Sequence, residues 1–217
     1  MDKPIEIAHA CGLAPVIPVL TIADASQARP LAEALVAGGL PVLEVTLRTE
    51  AALDAIARMS AVEGAVVGAG TLLRAGDAVA ARAAGARFGV SPGASDTLLD
   101  ACAGAELPLL PGAATASEIM RLRDRGHDIV KFFPAAANGG VPALRALQAP
   151  FPGLRFCPTG GITAAQAPDY LALDCVACIG ASWVAPAELT AAGDWQEITR
   201  RAHQASAMRT GTGPRMD

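Results

Sequence analysis

Two side chains in this sequence have the chemistry to act on a carbonyl compound. Of the 17 Lys and Arg residues, only Lys3 and Lys131 are lysines. Lys3 sits near the start of the chain. Lys131 sits in Ile129-Val130-Lys131-Phe132-Phe133-Pro134, a run apolar enough to be a buried strand. An unpaired ammonium is costly to bury, so such a site favours the neutral amine. A neutral amine is the species that attacks a ketone and forms a Schiff base. The plainer reading is a strand-end lysine that reaches solvent. The second candidate is Glu44, in Val42-Leu43-Glu44-Val45-Thr46-Leu47-Arg48. Glu44, Thr46 and Arg48 share one face of a strand by period two. If that face points inward, Glu44 can shuttle protons as a general acid and base. Arg48 can then clamp a carboxylate through two parallel N–H bonds. The structural alternative is an internal Glu44–Arg48 ion pair.

The elements that must position these groups recur along the chain. Short runs rich in Val, Ile and Leu begin at Pro15, Val42, Ala65, Arg87, Leu107, Ile129, Leu154 and Cys175. The spacing is roughly 20 to 27 residues, as expected of βα units. Most runs are apolar on both faces, as parallel strands covered by helices are. Helix signals lie between them. Asp24 is placed to cap a helix through Leu35 that ends at Gly38 and Gly39. Thr49 precedes another helix, and Thr163 a third. Thr115 and Glu118 spell a capping box, and Gly126 closes that helix. A final helix is expected from about Ala191 to Ala207, with a frayed tail from about residue 208. The expectation is an α/β chain forming a single-domain (β/α)8 TIM barrel over residues 1–217, with a short N-terminal helical extension. An open doubly wound sheet would want a Gly-rich turn after its first strand, and Thr21-Ile22-Ala23-Asp24 stands there instead.

In a barrel the active site lies at the C-terminal ends of the strands. That rule adds Thr71, Pro92, Phe133, Thr159, Gly160, Gly161, Gly180, Ala181 and Ser182 to the candidates. The loops after the seventh and eighth strands are the usual phosphate site of this architecture.

Composition narrows the function classes. Hydrophobic residues make up 52% of 217 residues, but Pro, Gly or a charge interrupts every apolar run before it could span a bilayer. The net charge is −4 with scattered basic residues, which argues against nucleic acid. The N-terminal stretch does not read as a signal peptide, so a cytoplasmic protein is expected. Five cysteines, an odd number, argue for free thiols. Cys175 and Cys178 are spaced as in redox and zinc motifs, but their run reads as a buried strand without a second pair.

Together the segments EVTLRT, VVGAGTLL, VSPGASDTLL, VKFFPAAANGG, RFCPTGGI and CIGASW resemble a known family. It comprises the class I aldolases of the Entner–Doudoroff pathway acting on 2-keto-3-deoxy-6-phosphogluconate (KDPG), also linked with 4-hydroxy-2-oxoglutarate (KHG) cleavage. The resemblance runs from about residue 13 to residue 205. It implies that Lys131 forms the Schiff base and that Glu44 is the acid/base, acting through a bound water. It implies that Arg48 and Thr71 hold the pyruvate carboxylate, with Pro92 and Phe133 packed beside it. Thr159 would face the substrate hydroxyls, and Gly160, Gly161, Gly180, Ala181 and Ser182 the phosphate. A homotrimer with no metal and no cofactor is also implied. Two positions depart from the family pattern: Ala136 replaces an acidic residue, and Ala181 replaces glycine.

Three other readings compete. The same chemistry could serve KHG or the galactonate epimer, although Thr159 favours the gluconate. A barrel that only binds phospho-sugars would need no lysine under its pocket. A metal-dependent aldolase would need His and carboxylate ligands at strand ends, and His9, His127 and His203 fall in terminal or helix-end segments.

Overall fold

The computed structural model describes residues 3–208. Among the described residues, nine strands and ten α-helices follow one another, mostly in alternation. The strands are β1 Val16–Leu20, β2 Val42–Thr46, β3 Val66–Gly70, β4 Phe88–Val90, β5 Leu109–Leu110, β6 Gly112–Ala113, β7 Ile129–Phe132, β8 Arg155–Pro158 and β9 Ile179–Ala181. The helices are α1 Ile7–Leu13, α2 Ala28–Ala37, α3 Ala52–Ser60, α4 Ala75–Ala83, α5 Asp96–Gly104, α6 Ala116–Asp124, α7 Gly140–Gln148, α8 Ala167–Leu171, α9 Ala187–Ala192 and α10 Trp195–Ser206.

All strand pairings are parallel. They form a six-stranded sheet in the order β5-β4-β3-β2-β1-β9 and a three-stranded sheet in the order β6-β7-β8. The expected fifth strand is therefore two short ones, because Pro111 has no N–H to give the ladder. Its carbonyl still accepts from Lys131 N at 2.8 Å. The eighth run is also shorter than expected. Only Ile179–Ala181 is strand, and Cys175 lies in a turn before it. Isolated bridges join Phe156 to Val176 and Thr159 to Gly180 between the two sheets.

Local signals explain most helix ends. Asp24 accepts from Ser26 N at 2.8 Å and opens a 3-10 turn that leads into α2. Thr115 and Glu118 form the expected capping box. Thr163 and Gln166 exchange similar bonds at the turn before α8. Thr49 does not cap α3: its hydroxyl donates to the Ile22 carbonyl instead. The expected last helix is α10, which starts later than about Ala191 because Gly193 takes φ +67 and Asp194 caps α10 by accepting from Glu197 N; the short α9 before it was not expected. The expected frayed tail lies beyond residue 208, outside the described residues.

One end of the strands is closed by the N-terminal helix. Ala10 and Cys11 of α1 pack with Ile17, Val42, Val66, Phe88, Ile129 and Cys157 in one apolar cluster. Ile5 N bonds to the carbonyl of Arg87, just before β4, which fixes α1 at the N-terminal ends of the strands. A larger cluster holds the outer strand faces against the helices. The C-terminal ends are not covered by α1. Among the described residues, no helix is long and apolar enough to cross a membrane.

Small residues make room for this interior. A Cβ on Gly68 would stand 2.3 Å from the ring of Phe88, which is itself 1% exposed. Gly68→Ala should destabilise the protein by about 1–3 kcal/mol, the usual cost of overpacking. Adding Phe88→Leu should restore part of the loss. Urea unfolding of the three proteins checks this, and an unchanged midpoint for Gly68→Ala would show that the ring moves freely.

Candidate active site

The centre of the site is a buried pair. Lys131 Nζ lies 3.0 Å from Glu44 Oε1, and the two side chains are 6% and 4% exposed. Strand pleating aims both inward. Lys131 pairs in register with Gly112 on β6 and Cys157 on β8, while Glu44 pairs with Val19 on β1 and Gly68 on β3. Gly70 on β3 makes space for the carboxylate, since a Cβ there would stand 2.3 Å from Glu44 Oε1. The lysine is thus not the unpaired ammonium that its sequence context suggested. Its partner comes from a strand 87 residues away, a contact no local pattern encodes. Phe133 adds a ring whose centroid is 5.3 Å from Nζ, a favourable place for a cation.

Arg48 does not pair with Glu44, so the structural alternative for that face fails. Its Nε donates to Thr71 Oγ1 at 3.2 Å, and the guanidinium is exposed. Thr71 takes φ +61, a conformation that β-branched residues rarely adopt. The Arg48–Thr71 bond places a cation and a hydroxyl at the ends of β2 and β3. Thr46, fully buried between Glu44 and Arg48 in sequence, donates to the Leu20 carbonyl at 2.9 Å. Its oxygen also lies 3.0 Å from Thr21 Oγ1, at the end of β1. Sequence reading passed over Thr21. The available signal was its parity with Ile17 and Val19 along β1.

The remaining candidates gather at the ends of β4, β7, β8 and β9. Ala135 N and Ala136 N donate to the carbonyls of Thr159 and Gly160, tying the turn after β7 to the loop after β8. Gly160 and Gly161 take φ +100 and +73, which glycine adopts without strain. A Cβ on Gly160 would press on the Phe133 ring at 3.1 Å, and one on Gly161 would meet the Ala136 methyl at 2.8 Å. Thr159 is buried, and its hydroxyl would lie 2.4 Å from a Cβ on Gly180. Pro92 is half-buried after β4, and its carbonyl abuts Gly112. Ala181 is the last residue of β9, and Ser182 beyond it is exposed. Among the described residues, only Thr71 and Glu106 are non-glycines with positive φ. Alanine at 181 therefore carries no backbone strain.

Under the lysine lies a group of thiols. Cys11, Cys157 and Cys178 are buried and unbridged, and Cys178 Sγ stands 3.6 Å from Cys157 Sγ. The hydrogen bond from Cys178 lowers the Cys157 thiol below its ordinary value, and the Lys131 charge adds to this. The Cys175–Cys178 spacing is not used as a pair, since Cys175 is only half-buried in its turn. Among the described residues, no three His, Cys, Asp or Glu side chains are grouped to hold a metal ion.

An amine and a carboxylate in direct contact can exchange a proton, and the amine can attack a carbonyl carbon brought to it. Comparison with known proteins agrees in kind. The family model for KDPG and KHG aldolase matches residues 7–201. The 2-dehydro-3-deoxy-phosphogluconate aldolase of Pseudoalteromonas atlantica is 51% identical over 194 residues, covering 89% of this chain and 90% of that one. The crystal structure of the KDPG aldolase of Zymomonas mobilis with 3-phosphoglycerate superposes with a TM-score of 0.88 at 50% identity, covering 92% and 94% of the two chains. A Legionella pneumophila KDPG aldolase with pyruvate captured as a covalent carbinolamine gives 0.89 at 44% identity, covering 92% and 98%.

The buried pair makes a prediction about stability. Removing one partner strands the other charge, at a cost of about 3–5 kcal/mol. Lys131→Met should therefore lower unfolding free energy by about that amount. Lys131→Met with Glu44→Gln should lose less than Lys131→Met alone. Denaturant melts of both variants check this, and a double variant no better than the single would show that the carboxylate is not stranded.

Proposed function

Because the chain belongs to the KDPG and KHG aldolase family, we propose that Lys131 is its Schiff-base nucleophile and Glu44 its general acid and base. The chain is a lyase, and its reaction is the reversible cleavage of KDPG to pyruvate and glyceraldehyde 3-phosphate, the aldol step of the Entner–Doudoroff pathway. The observation that carries the assignment is the 3.0 Å contact between two buried, oppositely charged groups.

Each step uses that contact. Glu44 takes a proton from the Lys131 ammonium, and the free amine adds to the C2 ketone. The protonated Glu44 returns its proton to the carbinolamine hydroxyl, which leaves as water and gives an iminium. The iminium draws in the electron pair as the C3–C4 bond breaks. Glu44, through a water, accepts the C4 hydroxyl proton, and glyceraldehyde 3-phosphate departs. The enamine takes a proton at C3, and water hydrolyses the iminium to pyruvate and free lysine. The iminium itself serves as the electron sink, so these steps ask nothing of a metal or cofactor.

The ligand is a small phosphorylated keto acid. In this reading Arg48 and Thr71 hold its carboxylate, and Pro92 and Phe133 pack beside the pyruvate carbons. Thr159 faces the hydroxyls. Backbone N–H groups of Gly160, Gly161, Gly180 and Ala181, with the Ser182 hydroxyl, receive the phosphate. The positive φ at Gly160 and Gly161 supports this, since it turns successive N–H groups to one side.

The two sheets are read as one (β/α)8 barrel forming a single domain. The Lys131 N–Pro111 O bond spans the β5/β6 break, and the bridges from Phe156 and Thr159 span the other seam. The exposed Leu73, Val79 and Met120 offer apolar surface for the homotrimer that the family resemblance implies. The working compartment is taken to be the cytoplasm.

Kinetics test the roles. Lys131→Ala should abolish KDPG cleavage. Glu44→Gln should lower turnover by about 10²- to 10⁴-fold, the range of general acid–base catalysis. Steady-state pyruvate release measures both. Parental turnover in Glu44→Gln would reduce Glu44 to a charge partner, and substantial activity in Lys131→Ala would end the Schiff-base reading.

A further inference from the structure

We propose that Thr21 is a specificity-determining residue whose hydroxyl bonds to a hydroxyl of the substrate's aldehyde half. This rests on the aldolase reading above and goes beyond it, because Thr21 lies outside the lysine, carboxylate and phosphate assignments.

The placement of two linked hydroxyls carries the argument. A threonine hydroxyl has one proton to give and lone pairs to receive. Thr46 Oγ1, fully buried, lies 2.9 Å from the Leu20 carbonyl and 3.0 Å from Thr21 Oγ1, and either hydroxyl can be the donor between the two threonines. Whichever way that proton runs, the Thr21 hydroxyl, on an exposed residue, keeps hydrogen-bonding capacity for one more partner. A substrate hydroxyl, which both donates and accepts, matches it in either polarity.

Strand order says where that oxygen stands. The order β3-β2-β1-β9 places the end of β1 between the Arg48–Thr71 pair and the loop of Ala181 and Ser182. A keto acid held by its carboxylate at the first and by its phosphate at the second passes its middle carbons over Thr21. In KDPG those carbons bear hydroxyls at C4 and C5. The C4 hydroxyl surrenders its proton in the reaction, so the C5 hydroxyl is the one for Thr21 to read. In the reverse direction this is the 2-hydroxyl of glyceraldehyde 3-phosphate.

The test is aldol addition of pyruvate to D-glyceraldehyde 3-phosphate and to 3-oxopropyl phosphate, the same aldehyde without its hydroxyl. Parent, Thr21→Val and Thr21→Ser are compared. Thr21→Val should lower kcat/KM for glyceraldehyde 3-phosphate about three- to tenfold, the worth of one neutral hydrogen bond. It should leave 3-oxopropyl phosphate and the KM for pyruvate unchanged, and Thr21→Ser should behave as the parent. Equal losses on both aldehydes, or no loss on either, would overturn the proposal while leaving the aldolase reading in place. A parent that adds pyruvate to neither aldehyde would overturn both.

Discussion

A lysine ammonium and a glutamate carboxylate, almost wholly removed from water and 3.0 Å apart, set the terms for everything around them. Each charge is tolerable inside the protein only because the other is present. The fold must therefore bring β2 and β7 to face one another across the interior, and must do so to within a hydrogen bond. The two parallel sheets achieve this. Residues far apart in sequence meet because alternate side chains on every strand point the same way. The same contact that makes the lysine bearable in the interior gives its proton somewhere to go.

The surroundings follow from protecting that pair while leaving one side open. Below it, Phe88, Val42, Val66 and the thiols of Cys157 and Cys178 fill the interior, and α1 seals the far end. Beside it, Gly70 gives up its side chain to the carboxylate, as Gly68 does to Phe88 and Gly180 to Thr159. Above it, the polar residues are bonded to one another: Arg48 to Thr71, Thr46 to Thr21 and to the end of β1. The floor is thus apolar and tightly filled, while the mouth is polar and held in place before any substrate arrives. Such preorganisation lets electrostatic stabilisation act without rearrangement during the reaction.

Much of this was legible in the sequence, for identifiable reasons. Runs such as Val42–Thr46 are rich in β-branched residues and bounded by turn formers, so strand positions followed directly. Lys131 stood out because lysine is rare in this chain and its neighbours are apolar. The capping box at Thr115 is a local chemical pattern and appeared as written. What escaped was non-local or stereochemical. The pairing of Lys131 with Glu44 depends on strand order. Thr49 looked like a cap because it precedes a helix, yet the Ile22 carbonyl was within its reach. Gly193 ends α9 and delays the start of the last helix through a positive φ that a helical pattern does not reveal. Pro111 was visible in the sequence, but its effect is seen only when the strand is asked to donate on both edges.

Lys131, and no other amine, is proposed to carry the covalent intermediate. Reduction with borohydride in the presence of pyruvate, followed by mass spectrometry of the intact chain and of its peptides, tests that most directly. The expected result is one reduced pyruvate adduct per chain, located on the peptide containing Ile129–Pro134. An adduct on Lys3 or the terminal amine instead, or none under conditions where cleavage proceeds, would contradict it.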